Sequence, residues 1–127
     1  MIDAANSQPF SHVHRPGIAV GGHCIPVYPH FYLAGDPEAR LPRVADEINR
    51  SMPAYAVGAL EAAFGPLDGA TVLILGIAFR GGVKETAFSG AFPLRDELER
   101  RGAHVVAADP LYDAGEVRAL GLEPWSG

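Results

Sequence analysis

Apolar positions recur at spacings of three and four between residues 36 and 64. Leu41, Val44, Ala45, Ile48, Met52, Tyr55, Ala56, Ala59 and Ala63 would share one face of a helix. Pro53 cannot donate to the carbonyl of Asn49, so the pattern predicts a kink or break there. Ser51 is placed to cap the second half, and Gly65-Pro66 is a stop signal. The period changes at residues 71–78, TVLILGIA, a continuous β-branched run that suits a strand buried on both faces of a parallel sheet. A loop over 79–88 follows. Ser89 can cap a helix over about 90–101, with Leu94 and Leu98 inward and Gly102 as its stop. Residues 104–108 read as a second strand ending at Asp109-Pro110, 113–120 as a short helix, and 122–125 as the start of a third strand. That order opens a doubly wound α/β domain. Three strands make a thin sheet with an unprotected edge. Residues 1–35 differ: Pro9, Pro16, Pro26 and Pro29 punctuate too often for a helix, so an extended, looping path is expected. Residues 2–6 read as the last turn of a helix begun upstream, which suggests a piece of a longer protein.

Composition narrows the class. Of 127 residues, 48% are hydrophobic and 20% charged, which is globular rather than disordered. Fifteen Gly and eleven Pro predict many turns. A net charge of −5 argues against neutralising a nucleic-acid backbone. One cysteine excludes an internal disulfide and a cysteine-only zinc site. No apolar run has the length of a membrane span. The opening MIDAANSQPF lacks the basic end and apolar stretch of a signal peptide, so a cytoplasmic protein is expected.

Two segments carry candidate chemistry. The first is PGIAVGGHCIPVYPHFYL, residues 16–33. Adjacent glycines Gly21 and Gly22 let backbone approach a ligand and expose N–H groups. Cys24, just after them, is placed for nucleophilic attack with those N–H groups ready for an oxyanion. His23 is placed to help hold a thiolate, although neighbours on an extended chain point apart. Spacing alone favours the plainer reading of Cys24, a small buried hydrophobe in a turn-rich segment. The second segment is ILGIAFRGGVKETAFSG, residues 74–90. A strand ends, two glycines and two cations follow, and a helix begins. Gly81 and Gly82 with Arg80 and Lys84 suit a phosphate, and Phe79 suits stacking on a ring. The spacing is not GxGxxG, and a solvated loop whose cations offset Glu85 fits equally.

Together the segments resemble the UDP-sugar dehydrogenases, NAD-dependent enzymes that oxidise carbon 6 of a UDP-hexose or UDP-N-acetylhexosamine. PGIAVGGHCIPVYP is similar to the family's catalytic loop, close to GPGxGGHCIPVDP. GIAFR, residues 76–80, resembles the family's G-x-A-[FY]-[KR] strand end, and RRGAHVVAADP its next strand. INRSMPAYAV, residues 48–57, resembles the helix between the central and C-terminal domains. The histidine before the cysteine resembles the UDP-N-acetylmannosamine/glucosamine branch. The resemblance implies a C-terminal fragment: 1–35 a catalytic-loop segment ending the central domain, 36–64 a linking helix, and 65–127 the first part of a Rossmann-like, three-layer parallel UDP-binding domain. The NAD domain and the last strands would lie outside it.

The resemblance implies that Cys24 adds to the aldehyde left by a first hydride transfer, and that the thiohemiacetal is oxidised to a thioester which water hydrolyses. It implies that Gly21, Gly22 and His23 contact the sugar, that Phe79 and Arg80 hold the nucleotide-sugar, and that Lys84 reaches NAD. It also implies a homodimer through the central region. The fragment alone would be inactive. Three positions depart from the family pattern: Tyr28 replaces an Asp linked to thioester hydrolysis, Ala19 replaces a glycine, and Ala87 replaces an Arg that reaches NAD. Two other readings stand beside this one, a non-catalytic nucleotide-binding module and a zinc segment built from His12, His14, His23, Cys24 and His30. Neither nucleic acid nor membrane is an expected partner.

Overall fold

The computed structural model describes residues 1–15 and 17–127; Pro16, which opens the expected catalytic loop, lies outside them. The elements run α1 (Ile2–Ala5), α2 (Tyr28–Gly35), α3 (Arg40–Phe64), β1 (Thr71–Leu75), α4 (Ala91–Arg100), β2 (His104–Ala108) and α5 (Ala114–Ala119). β1 and β2 pair in parallel, Thr71 opposite His104 through Leu75 opposite Ala108. A parallel bridge joins Ala107 to Pro124, so the expected third strand is present as a single contact beside β2. The resulting order, third segment–β2–β1, is one wing of a doubly wound sheet.

The core is small and continuous. Val57 of α3, Ile74 of β1, Leu98 of α4, Val105 and Ala107 of β2, and Val117 of α5 meet in it, with Ile77 fully buried. β2 is buried at Val105, Val106 and Ala107 in succession, hence on both faces, as a sheet interior requires. β1 departs from that expectation. It ends at Leu75, three residues early, and Leu75 is 77% exposed. The cause is local and topological: Gly76 turns the chain at φ +96, and among the described residues β1 has a partner on one side only.

Four helical expectations are corrected. The helix that sequence places at 36–64 begins at Arg40 and runs through Pro53 to Phe64 without ending. Pro53 is buried against the body of the protein, where packing outweighs one lost backbone hydrogen bond. Ser51 caps nothing; its hydroxyl donates to the Ile48 carbonyl at 2.8 Å, a bond back into the same helix. The buried face is also not the expected one. α3 buries Pro53 and Val57, while Leu41 (82%), Val44, Ile48 and Tyr55 (71%) are exposed. Finally, residues 28–35 are helical rather than extended, because Pro29 falls in the first turn, where no N–H is needed.

The remaining ends follow local chemistry. Ser89 is buried, donates to the Ile77 carbonyl at 2.7 Å and accepts from the Ala91 N–H at 3.3 Å, so it tethers the start of α4 to the turn that follows β1. Gly102, at φ +82, ends that helix. Asp113 and Glu116 close a capping box on α5. Arg101 binds both Glu97 and Glu61, which ties the end of α4 to α3.

Candidate functional site

The two candidate segments meet. The backbone N–H of Gly22 donates to the carbonyl of Ala87 at 2.7 Å, joining the diglycine loop to the loop between β1 and α4. The approach is close enough to require glycine. A Cβ on Gly21 would lie 2.6 Å from the Phe88 carbonyl oxygen and 2.8 Å from the Phe79 Cβ. Gly22 has φ +92, and a Cβ there would lie 3.1 Å from the Phe79 ring. Phe79 therefore braces the diglycine, and part of its ring is taken by protein. Ala19 packs beside Gly90, where a Cβ would come within 3.0 Å of the Ala19 Cβ.

Cys24 follows this junction and is exposed, which removes the buried-hydrophobe reading. Its carbonyl accepts the N–H groups of Val27 and Tyr28 and so starts α2. The Gly22 N–H is consumed by Ala87 and is not free for an oxyanion, contrary to expectation. His23 points to Glu85, with Nε2 3.3 Å from Oε2. Glu85 accepts from the N–H groups of Ala87 and Thr86 as well. The Ala87 N–H, then the His23 imidazole, hold its carboxyl below the ordinary carboxylate range.

At the carboxyl ends of the strands, Gly76, Ala78, Arg80, Gly81, Gly82, Asp109 and Pro110 border a cavity of about 250 Å³. Among the described residues, Arg80 makes no ion pair and the N–H groups of Gly81 and Gly82 bond no protein acceptor. Asp109 organises the near wall. Its carboxylate accepts from Ile77 at 2.7 Å, Leu111 at 2.9 Å and Ala78 at 3.2 Å. Burial raises its pKa, but the three backbone donors outweigh burial and leave it lowered. Lys84 is engaged elsewhere: its ammonium binds Glu116 and sits 5.1 Å from the Tyr112 ring centroid, and the Glu116 contact raises its pKa.

A larger cavity, about 540 Å³, opens behind the diglycine loop between α3 and α4, with Val20, His30, Asn49, Pro53 and Phe88 in its wall. Its polar edge is a cluster of Arg50, Asp46 and His30: Arg50 Nε is 2.9 Å and His30 Nε2 3.4 Å from the Asp46 carboxylate. The sequence pattern missed Asn49. Its carboxamide accepts the Val20 N–H at 2.8 Å and donates to the Val20 carbonyl at 3.1 Å. A signal exists: Asn is a poor residue for a helix interior and lies off the apolar stripe. Among the described residues, no three His, Cys, Asp or Glu side chains converge as metal ligands, and no helix is long and apolar enough to cross a membrane.

No protein-family model matches the chain. Individual proteins do. It is 38% identical over 114 residues, 86% of its length, to the UDP-N-acetyl-D-mannosamine dehydrogenase of Pyrococcus horikoshii. It is 30% identical over 112 residues to the NDP-N-acetyl-D-galactosaminuronic acid dehydrogenase of Ralstonia solanacearum. Its homologues are nucleotide-sugar dehydrogenases. The solved structure of the Pyrococcus horikoshii enzyme covers 86% of this chain with a TM-score of 0.69 at 36% identity. That of a UDP-glucose dehydrogenase from Pyrobaculum islandicum covers 87% with a TM-score of 0.77 at 27% identity. These dehydrogenases share the Rossmann-like α/β arrangement of strands and helices found here. The chain spans about 27% of the length of these two proteins.

Proposed function

We propose that this chain is the catalytic-loop and early UDP-binding segment of a longer nucleotide-sugar 6-dehydrogenase. One observation carries the reading: the diglycine before Cys24 docks on the Phe79–Ser89 loop through Gly22 and Ala87, so the nucleophile and Arg80 stand on one junction. In this reading residues 1–35 complete the central domain, 36–64 link, and 65–127 begin the nucleotide domain of a cytoplasmic enzyme. Arg80 and the N–H groups of Gly81 and Gly82 take the diphosphate at the strand ends. Phe79 holds the diglycine and borders the sugar. Gly21 and His23 line the sugar side, His23 steadied by Glu85. The sugar class is a UDP-N-acetylhexosamine, on the GGHC sequence and the names of the relatives.

Cys24 supplies the covalent step. Its sulfur adds to the aldehyde carbon, forming a C–S bond while the thiol proton passes to the carbonyl oxygen, and a later thioester is cleaved by water to the acid. Tyr28 cannot accept a proton from that water as a carboxylate would, so a residue elsewhere or bulk solvent serves this step. NAD is the oxidant the reading implies. The described residues do not fit it: Lys84 is bound by Glu116, and Ala87 offers only its backbone, already used by Gly22. Its site belongs to parts of the enzyme outside this chain.

The partner is a second copy. Leu41, Val44, Ile48 and Tyr55 form an exposed apolar stripe along α3, and Phe31 and Tyr32 of α2 are exposed as well. Sedimentation should find a dimer that Ile48→Glu dissociates, whereas a monomer at high concentration would remove this part of the reading. The functional test is a UDP titration followed by amide NMR. Shifts confined to residues 76–82 and 109–111 support it; no shift at millimolar UDP argues against a nucleotide at the strand ends. In the longer enzyme, Cys24→Ala should abolish acid formation, and acid product from that variant would sink the nucleophile assignment.

A further inference from the structure

We infer that Asn49 is the positioning residue of the Cys24 loop, a role that rests on reading Cys24 as the nucleophile. The bonds are specific. One carboxamide on α3 accepts from the N–H of Val20 and donates to its carbonyl, across 29 residues of sequence. Val20 lies outside every helix and strand, so its two backbone groups have no ladder to join. Asn49 takes the place of that ladder. The carboxamide offers an acceptor and a donor on separate atoms; a carboxylate keeps the acceptor alone, and alanine keeps neither.

The position of the clamp gives it consequence. Val20 precedes Gly21, whose backbone passes so close to Phe88 and Phe79 that no Cβ fits. On the far side of Gly21, the Gly22 N–H is bonded to Ala87. The clamp and that bond fix the chain immediately before and after the tightest point. Cys24 comes two residues later, and its carbonyl is already bound by the first turn of α2. The path from residue 20 to residue 24 is therefore held at both ends, and Asn49 supplies the end that faces α3. The helix beneath is firm: Pro53 and Val57 are buried, and Asp46 and Arg50 tie its outer turn to His30 of α2.

Hydrogen exchange by NMR on the 127-residue chain tests this. In Asn49→Ala the N–H groups of Val20 and Gly22 should exchange at least tenfold faster, while those of Val57 and Leu98 keep their rates. Asn49→Asp, which retains an acceptor for the Val20 N–H, should keep Val20 slow. A purely structural role predicts the opposite pattern, with all four amides accelerating together and Asp no better than Ala. That pattern, or unchanged rates at Val20 and Gly22, overturns the inference. If Asn49→Ala does not fold, Asn49→Asp decides alone: retained protection at Val20 supports the clamp and its loss refutes it. Cys24→Ala should leave these exchange rates unchanged. A failure of the nucleophile reading, seen as turnover by Cys24→Ala in the longer enzyme, is therefore distinct from a failure of the clamp.

Discussion

Replacing Gly21 by alanine tests whether the two segments are joined as described. The added methyl would sit 2.6 Å from a backbone oxygen, Phe88 O, and 2.8 Å from the Phe79 Cβ. Ordinary contact begins near 3.4 Å, so the shortfall is roughly 0.8 Å against atoms that no side-chain rotation moves. Two escapes exist. The loops can stay joined and absorb the overlap, at about 1–3 kcal/mol for overpacking. Alternatively residues 19–22 can lift off, losing the Gly22–Ala87 bond and the two Asn49–Val20 bonds at about 1 kcal/mol each. The cheaper route sets the cost, so Gly21→Ala should lower the urea-derived unfolding free energy by about 1–3 kcal/mol. In a domain of this size the fall in Tm is about 4–11 °C. Gly22→Ala should cost about 1–2 kcal/mol from its positive φ, plus a steric part against the Phe79 ring edge. The two variants differ in their response to Phe79→Ala. Removing the ring relieves the steric part of Gly22→Ala, whereas in Gly21→Ala the Phe88 carbonyl remains in place. A double-mutant cycle should thus show coupling of at least 0.5 kcal/mol for Gly22 with Phe79 and less for Gly21 with Phe79. Gly21→Ala with stability within 0.5 kcal/mol of the parent chain would refute the junction.

Other outcomes follow from single contacts. Arg100, then Arg101, bind Glu97 and lower its pKa from 4.5 to about 2. A lowered carboxyl contributes stability above its unfolded pKa and loses it as pH falls through the folded value, so Glu97→Gln should flatten the urea midpoint between about pH 4.5 and 2; matching acid limbs would contradict this. Asp109→Asn turns an amide donor toward backbone N–H groups now held by a carboxylate, and should destabilise the chain by about 1–2 kcal/mol in urea melts. Arg80→Ala should leave the melt unchanged, since Arg80 has no ion pair among the described residues, while reducing the UDP-induced shifts at Gly81 and Gly82 at least fivefold. Equal shifts in both proteins would move the nucleotide away from that loop.

Much of the α/β half was legible because its signals are local. The apolar strand runs and the Gly102 stop act through neighbours a few residues away, and β2, α4 and α5 lie close to where the sequence pattern puts them, whereas Ser89, expected as a helix cap, reaches back 12 residues to Ile77. β1 was overextended because apolarity alone does not show that Gly76 turns or that Asp109 waits to accept the Ile77 and Ala78 N–H groups. The site was legible as two motifs but not as one junction. GGHC and the glycines after Phe79 have visible chemistry, whereas the Gly22–Ala87 bond spans 65 positions and leaves no periodic trace.

α3 shows why its period misled. A 3.6-residue repeat marks the apolar face of a helix without naming what covers it. Leu41, Val44, Ile48 and Tyr55 form the more obvious stripe, yet the body of this chain packs on Pro53 and Val57, with the polar Asn49 and Asp46 in the cavity wall beside Val20 and His30. A helix of 25 residues that serves a loop on one side and exposes Leu41 and Tyr55 on another has two surfaces to satisfy. Under the proposed function, the stripe is the subunit contact and the weaker, half-polar face supports the candidate site. On that argument Ile48→Glu should break the dimer while leaving Val20 protected, and Asn49→Ala should do the reverse. In the proposed dimer, one helix carrying both surfaces would hold the Cys24 loop in a fixed place relative to the second copy.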